Sequence, residues 1–127
     1  MITPLSRCRC VVAGDLHLLR STYTLAVIAR MWRGWVATER ASAYEAYINE
    51  TGMAEYRATP GNLDAQMWMR DLGDGRTEVV TVSWWADFVS ITRFAGMDID
   101  RAVFYPLDDD YLVDRELTVT HFVVTGR

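Results

Sequence analysis

One pattern, strand then helix then strand, occurs twice in this chain and constrains its fold more than any other feature. The first pass covers residues 25–70 and the second 77–125. Residues 25–33 are apolar on both parities, as a strand buried on both faces would be. Gly34 is expected to end that strand. Thr38 is placed to cap a helix over 39–50, with Glu39 in its first turn, where an acid suits the helix dipole. Ala43, Tyr44, Tyr47 and Ile48 make the apolar stripe, and Gly52 is a stop signal. Thr59-Pro60-Gly61-Asn62 reads as a turn.

Residues 63–70 alternate, Leu63, Ala65, Met67 and Met69 against Asp64, Gln66, Trp68 and Arg70, which predicts a half-buried strand. Gly73 and Asp74-Gly75 signal a hairpin into a β-branched strand over 77–85. Asp87 is a cap for a helix over 88–95, closed by Gly96, and Asp98 starts a short helical turn toward Phe104. Asp108, Asp109 and Asp110 read as a solvated loop, and 116–125 as the last strand. The order βαββαβ closes as an α+β sandwich of ferredoxin-like type, a four-stranded antiparallel sheet with both helices on one face. The other sheet face then needs a cover, so a homodimer is expected.

Composition removes several chemistries. All 13 basic residues are Arg, which excludes a lysine Schiff base and a P-loop lysine within this chain. Only His17 and His121 carry imidazoles, so one chain cannot build a three-histidine zinc site. A net charge of -4 gives no reason to bind nucleic acid or an anionic membrane. No apolar run approaches the ~20 residues that span a bilayer. Cys8 and Cys10 fit two free thiols in a reducing cytoplasm better than a metal site with Asp15 and His17. Residues 1–24 lack a period and are expected to be a loosely packed, dispensable extension of a domain over 25–127.

Several segments, taken in order, resemble the antibiotic biosynthesis monooxygenase family. They are Ile28-Ala29-Arg30-Met31-Trp32-Arg33-Gly34-Trp35, the helix with Tyr44 and Tyr47, 56–62, 80–85, Phe94-Ala95-Gly96 with Asp98, Tyr105-Pro106 with Asp108-Asp109, and Val119-Thr120-His121-Phe122. The resemblance implies a dimeric α/β barrel, two ferredoxin-like sheets packed face to face. It also implies O2 chemistry on a small aromatic or polyketide-like molecule with no cofactor. The alternative is a non-catalytic dimer that binds a small hydrophobic ligand. Haem-degrading relatives of this fold hold haem through a histidine on the second helix. Residues 88–104 contain no His, which disfavours haem.

Each candidate site residue has a structural alternative. His121, the only imidazole in the domain, is a candidate base, or a packed strand residue. Arg93 and Asn62 are candidate polar groups of the catalytic set, against ion pairing and turn capping. Trp84, Tyr44, Tyr47, Phe94 and Trp32 are candidates to stack on a flat substrate, against core packing. Arg30 can hold a phenolate or carboxylate, or pair with Glu116 or Glu78. On parity, Val27, Ala29 and Met31, with Val80, Val82 and Trp84, are expected to face the helices. Trp84 would then floor a pocket between helices and sheet, and Arg30, Trp32, Thr81, Ser83 and Trp85 would face the inter-sheet side.

Overall fold

A computed structural model describes residues 26–126. The cysteine pair, Asp15, His17 and the expected 1–24 extension lie outside the described residues. The elements are β1 (Ile28–Ala37), a 3₁₀ turn (Thr38–Arg40), α1 (Ala41–Glu50), α2 (Gly52–Ala58), β2 (Asn62–Asp71), β3 (Arg76–Trp85) and α3 (Phe88–Ala95). They continue with α4 (Asp108–Tyr111), β4 (Leu112–Arg115) and β5 (Thr120–Val123). The sheet order is β2-β3-β1-β4, with β5 also paired to β1, and all pairs are antiparallel. β4 takes Gly34, Trp35 and Val36 of β1, and β5 takes Ile28 to Met31. The two short strands together fill one position, which gives the ferredoxin-like order.

The expected strand over 116–125 is therefore split. Residues 117–119 leave the ladder because a neighbouring loop captures their backbone. Ala102 N donates to Leu117 O at 3.0 Å, Val119 N to Asp100 O at 2.8 Å, and Thr118 bridges to Arg101. That loop, 96–107, contains no helix among the described residues; the turn expected from Asp98 is a single hydrogen-bonded one, Arg101 N to Asp98 O at 3.2 Å, and does not continue toward Phe104. A helix forms instead at α4, and Asp108, expected in solvent, is buried there.

Other boundaries move for local reasons. Gly34 does not end β1, because the ladder to β3 runs on to Ala37 opposite Arg76. A Cβ at Gly34 would stand 2.4 Å from the Trp32 ring, so glycine here makes room for an indole within the strand. Thr38 caps no helix; its hydroxyl meets Thr77 Oγ1 at 2.9 Å. Gly52 does not stop the chain's helical run but starts α2, whose Met53 and Tyr56 continue the buried stripe. α3 matches its expected bounds, and Asp87 Oδ1 accepts from Ser90 N at 2.8 Å as the cap.

The strand parity is the reverse of the expectation. Ile28, Arg30, Trp32 and Val36 pack toward the helices, opposite Trp85, Ser83, Thr81 and Thr77 of β3. Met31, Val82, Val80 and Trp84 take the open face with Trp68 and Phe122. β1 is largely apolar on either parity, and β3 turns its polar Thr81 and Ser83 to the helices, where hydrogen bonds satisfy them. On the helix side Ser83 Oγ accepts from Trp85 Nε1 at 2.8 Å, and the Thr81 and Tyr56 hydroxyls meet at 3.4 Å. Polar groups so satisfied are buried at little cost. Trp85, Tyr44, Met53 and Ile91 are almost wholly buried there, each contributing roughly 2–3 kcal/mol.

Candidate functional site

Between the sheet and the helical layer lies a cavity of about 30 Å³. β1 supplies Arg30 and Trp32 to it, and β3 supplies Thr81. α1 and α2 supply Tyr44, Ile48, Gly52 and Tyr56, and the 96–107 loop supplies Ala102, Val103, Phe104 and Tyr105. Asp108 at the start of α4 and Val119 complete the lining. Five of the thirteen lining residues are aromatic, with Trp32 edge-on to Phe104 at 6.1 Å.

Two polar poles stand in these walls. At one, Arg30 is 2% exposed and its Nη1 and Nη2 donate to Ile99 O at 2.6 Å and Arg101 O at 3.0 Å. Burial lowers its pKa, and the Tyr56 hydroxyl stands beside it and opposes that shift; a guanidinium nonetheless keeps its charge. The ion pairs weighed for Arg30 do not form: Glu116 binds Arg33 at 2.7 Å and Glu78 binds Arg70 at 2.6 Å. At the other pole, Asp108 accepts from Tyr44 Oη at 3.0 Å and from the Tyr105 amide at 2.7 Å. Burial pushes the Asp108 and Tyr44 pKa values up. The Tyr105 hydroxyl donates to Glu55, which ties the loop to α2.

Of the residues singled out from sequence, Arg30, Trp32 and Tyr44 line the cavity. Trp84 lies on the opposite sheet face, so Trp85 and Trp32 take the core positions expected of it. Phe94 packs at 4.5 Å from the Tyr56 ring, outside the lining. Tyr47 stacks on Tyr111 at 5.8 Å, and its hydroxyl accepts from Leu107 N. Asn62 Nδ2 donates to Asp64 O and Trp84 O, so it fastens the start of β2. Arg93 is exposed and bonds Pro60 O at 3.1 Å.

His121 stands behind Arg30 rather than in the lining, with Nε2 3.5 Å from Arg30 Nη1 and Nδ1 3.5 Å from Asp100 Oδ1. Burial, with Arg30 as the second cause, pushes its pKa down to about 4. It is neutral near pH 7 and buttresses the guanidinium. Thr81, Phe104, Tyr105 and Asp108 were not singled out as site residues. Only the helix stripe of α1 carried a signal, and it named Tyr44. Nothing in an acidic triplet separates Asp108 from Asp109 and Asp110.

No protein-family model matches the sequence, and no curated protein matches it. Solved structures do. A Bacillus cereus protein provisionally assigned as an antibiotic biosynthesis monooxygenase aligns with a TM-score of 0.59 at 12% identity, over 80% of this chain and 96% of its own. A conserved protein from Methanosarcina mazei Go1 aligns with a TM-score of 0.58 at 15% identity, over 83% and 99%. SnoaB, a cofactor-independent oxygenase from Streptomyces nogalater, aligns with a TM-score of 0.51 at 16% identity, over 80% and 94%. The chain therefore shares the ferredoxin-like fold of antibiotic biosynthesis monooxygenase structures along nearly their whole length.

Proposed function

We propose that this protein is a cofactor-independent monooxygenase that uses O2 on a small aromatic or polyketide-like phenol. The observation that carries the reading is the aromatic-walled cavity between sheet and helices, with polar groups at two poles. The fold shared with SnoaB, named a cofactor-independent oxygenase, supports it. The chemistry balances without an added reductant. A phenol ring carbon gains one oxygen atom, the second leaves as water, and the substrate supplies all four electrons as it becomes a quinone. The protein's part is to orient the ring and to exclude water. The cavity as it stands has room for about one or two waters. A ring enters only as the 96–107 loop, which forms one wall, gives way.

The same reading includes a homodimer in the cytoplasm, closed over the open sheet face that carries Met31, Val82, Trp84 and Phe122. Among the described residues, no helix is long and apolar enough to cross a membrane. Oxygen uptake with polycyclic phenols tests the activity, with 18O2 placing one labelled atom in the product and one in water. A second reading, a non-catalytic carrier of a small hydrophobic molecule, is favoured by one fact. The only imidazole among the described residues lies outside the cavity lining. Tight binding of such phenols with no oxygen uptake would decide for the carrier.

A further inference from the structure

We infer that the free edge of β2 pairs with the same edge of a second copy, about a two-fold axis at Trp68. This contact is separate from the open sheet face and independent of any reading of the cavity. β2 ends the sheet order and pairs only with β3 among the described residues. Its ladder is regular from Asp64 to Asp71, and at the hairpin Leu72 N donates to Arg76 O at 2.9 Å. Antiparallel bonding alternates along a strand. Arg70, Trp68, Gln66 and Asp64 therefore aim their backbone groups at β3, and Ala65, Met67 and Met69 aim theirs outward. Ala65 bears out that phase and is already closed. Its N–H donates to Asp64 Oδ1 at 2.8 Å, and its carbonyl accepts from Arg57 Nη2 at 3.2 Å. The N–H and C=O groups of Met67 and Met69 have no such cap among the described residues. Aligned, unpaired groups on a sheet edge are a template for another strand.

A second copy fits that template. With the axis at Trp68, Met67 of each copy stands opposite Met69 of the other. Each pair exchanges two backbone bonds, so all the free groups are satisfied in one register. The side chains agree with it. A groove of about 310 Å³ runs beside this edge, floored by Met67 and Met69 and walled by Glu45, Asn49, Met53 and Arg57. Arg57 marks the Ala65 end through its bond to that carbonyl, and Glu45 lies back along the helices toward the other end. The axis reverses the groove in the second copy, so Arg57 of each meets Glu45 of the other. Neither is ion-paired to another described residue. The flexible methionines fill the space between these charges. On the other face Trp68, 46% exposed, meets its own copy across the axis. Such an isologous contact closes on itself and consumes both edges.

The contact is small, of the class that buries under about 1,200 Å² and binds weakly, so it is expected at about 500 µM rather than at micromolar concentration. Phe122→Glu, which removes the open-face contact, isolates it. Sedimentation of that variant should show dimers forming toward about 500 µM. Arg57→Glu added to it should weaken association about tenfold or more, and Glu45→Arg added in turn should restore it, since the pair is rebuilt with its signs exchanged. Trp68→Cys, in a chain carrying Cys8→Ser and Cys10→Ser, should form a disulfide between copies about tenfold faster than Gln66→Cys does. Only residue 68 faces itself, at the ~4.5 Å Cα spacing that a disulfide spans. If Phe122→Glu fails to fold, the disulfide rates still decide. Monomers throughout, with both cysteine variants cross-linking equally slowly, overturn the inference. Dimers indifferent to Arg57→Glu overturn the two-fold register. Polymers that keep growing with concentration overturn closure and point to pairing with a different edge.

Discussion

Arg30 and His121 form a couple across β1 and β5, one charged and the other held neutral by burial first and by its charged neighbour second. The His121 pKa of about 4 lies below its ordinary 6.5. The folded state binds that proton less readily than the unfolded state, so its contribution is full above pH 6.5 and lost as pH falls toward 4. Between pH 7 and pH 5 this costs about 2 kcal/mol. Urea unfolding at the two pH values should show that loss, and His121→Gln, which cannot titrate, should remove it; an unchanged pH slope would contradict the assignment. Gly61 offers a second test at this scale. It adopts φ +94°, and a Cβ there would sit 1.9 Å from Ser90 Oγ at the start of α3. Gly61→Ala should destabilise by about 2 kcal/mol or more, from left-handed strain plus the clash. Chemical denaturation measures it, and a loss under ~0.5 kcal/mol would mean that the turn relaxes freely.

α3 is the element whose sequence signals and structure agree most closely. Asp87 Oδ1 takes both Ser90 N and Ser90 Oγ, at 2.8 and 2.7 Å. Asp87→Ala should cost about 1–2 kcal/mol, because the buried Ser90 hydroxyl loses its acceptor along with the cap. Asp87→Asn should recover most of that, measured by the same unfolding curves. The 96–107 loop is the opposite case, ordered by side chains far away in sequence. Arg30 reaches it across 69 residues, and Glu55 across 50. Its stability is borrowed from those anchors, so Glu55→Gln should raise hydrogen exchange in 101–107 while β2 and β3 keep their protection. Uniform exchange across all segments would show that the loop does not open by itself.

At the scale of the whole molecule, the open sheet face is the unfinished surface. It carries an apolar centre of Met31, Val80, Val82 and Trp84, with Trp68 and Phe122 exposed by 46% and 49%. Arg33, Glu78 and Arg70 bound it at one end as an ion-paired cluster. Soluble monomers seldom leave apolar patches beyond about 300–600 Å² uncovered. Sedimentation should therefore find a homodimer at micromolar concentration. Phe122→Glu should shift it to monomer with an unchanged circular dichroism spectrum. A stable wild-type monomer would reject this use of the face.

The sequence by itself determined the βαββαβ order, the alternation of β2, the hairpin into β3 and the capped α3. Those signals are local: a period, a turn residue or a cap acts within a few positions. Tertiary structure alone decided which parity of β1 and β3 turns to the helices. β1, largely apolar on both parities, carries no burial period, and the period of β3 pointed the wrong way because its Thr81 and Ser83 are satisfied inside, so the choice fell to distant partners. The carbonyls of Ile99 and Arg101 accept from Arg30, and Glu116 O accepts from Trp32 Nε1 at 2.7 Å. Other tertiary bonds, from Ala102 N to Leu117 O and Val119 N to Asp100 O, split the last strand, and the Tyr44 hydroxyl drew Asp108 inward. Together these bonds moved the candidate site from Trp84 to the Arg30 cavity. A side chain's chemistry can be read from the chain, but its address here is set by hydrogen bonds spanning 60 residues and more.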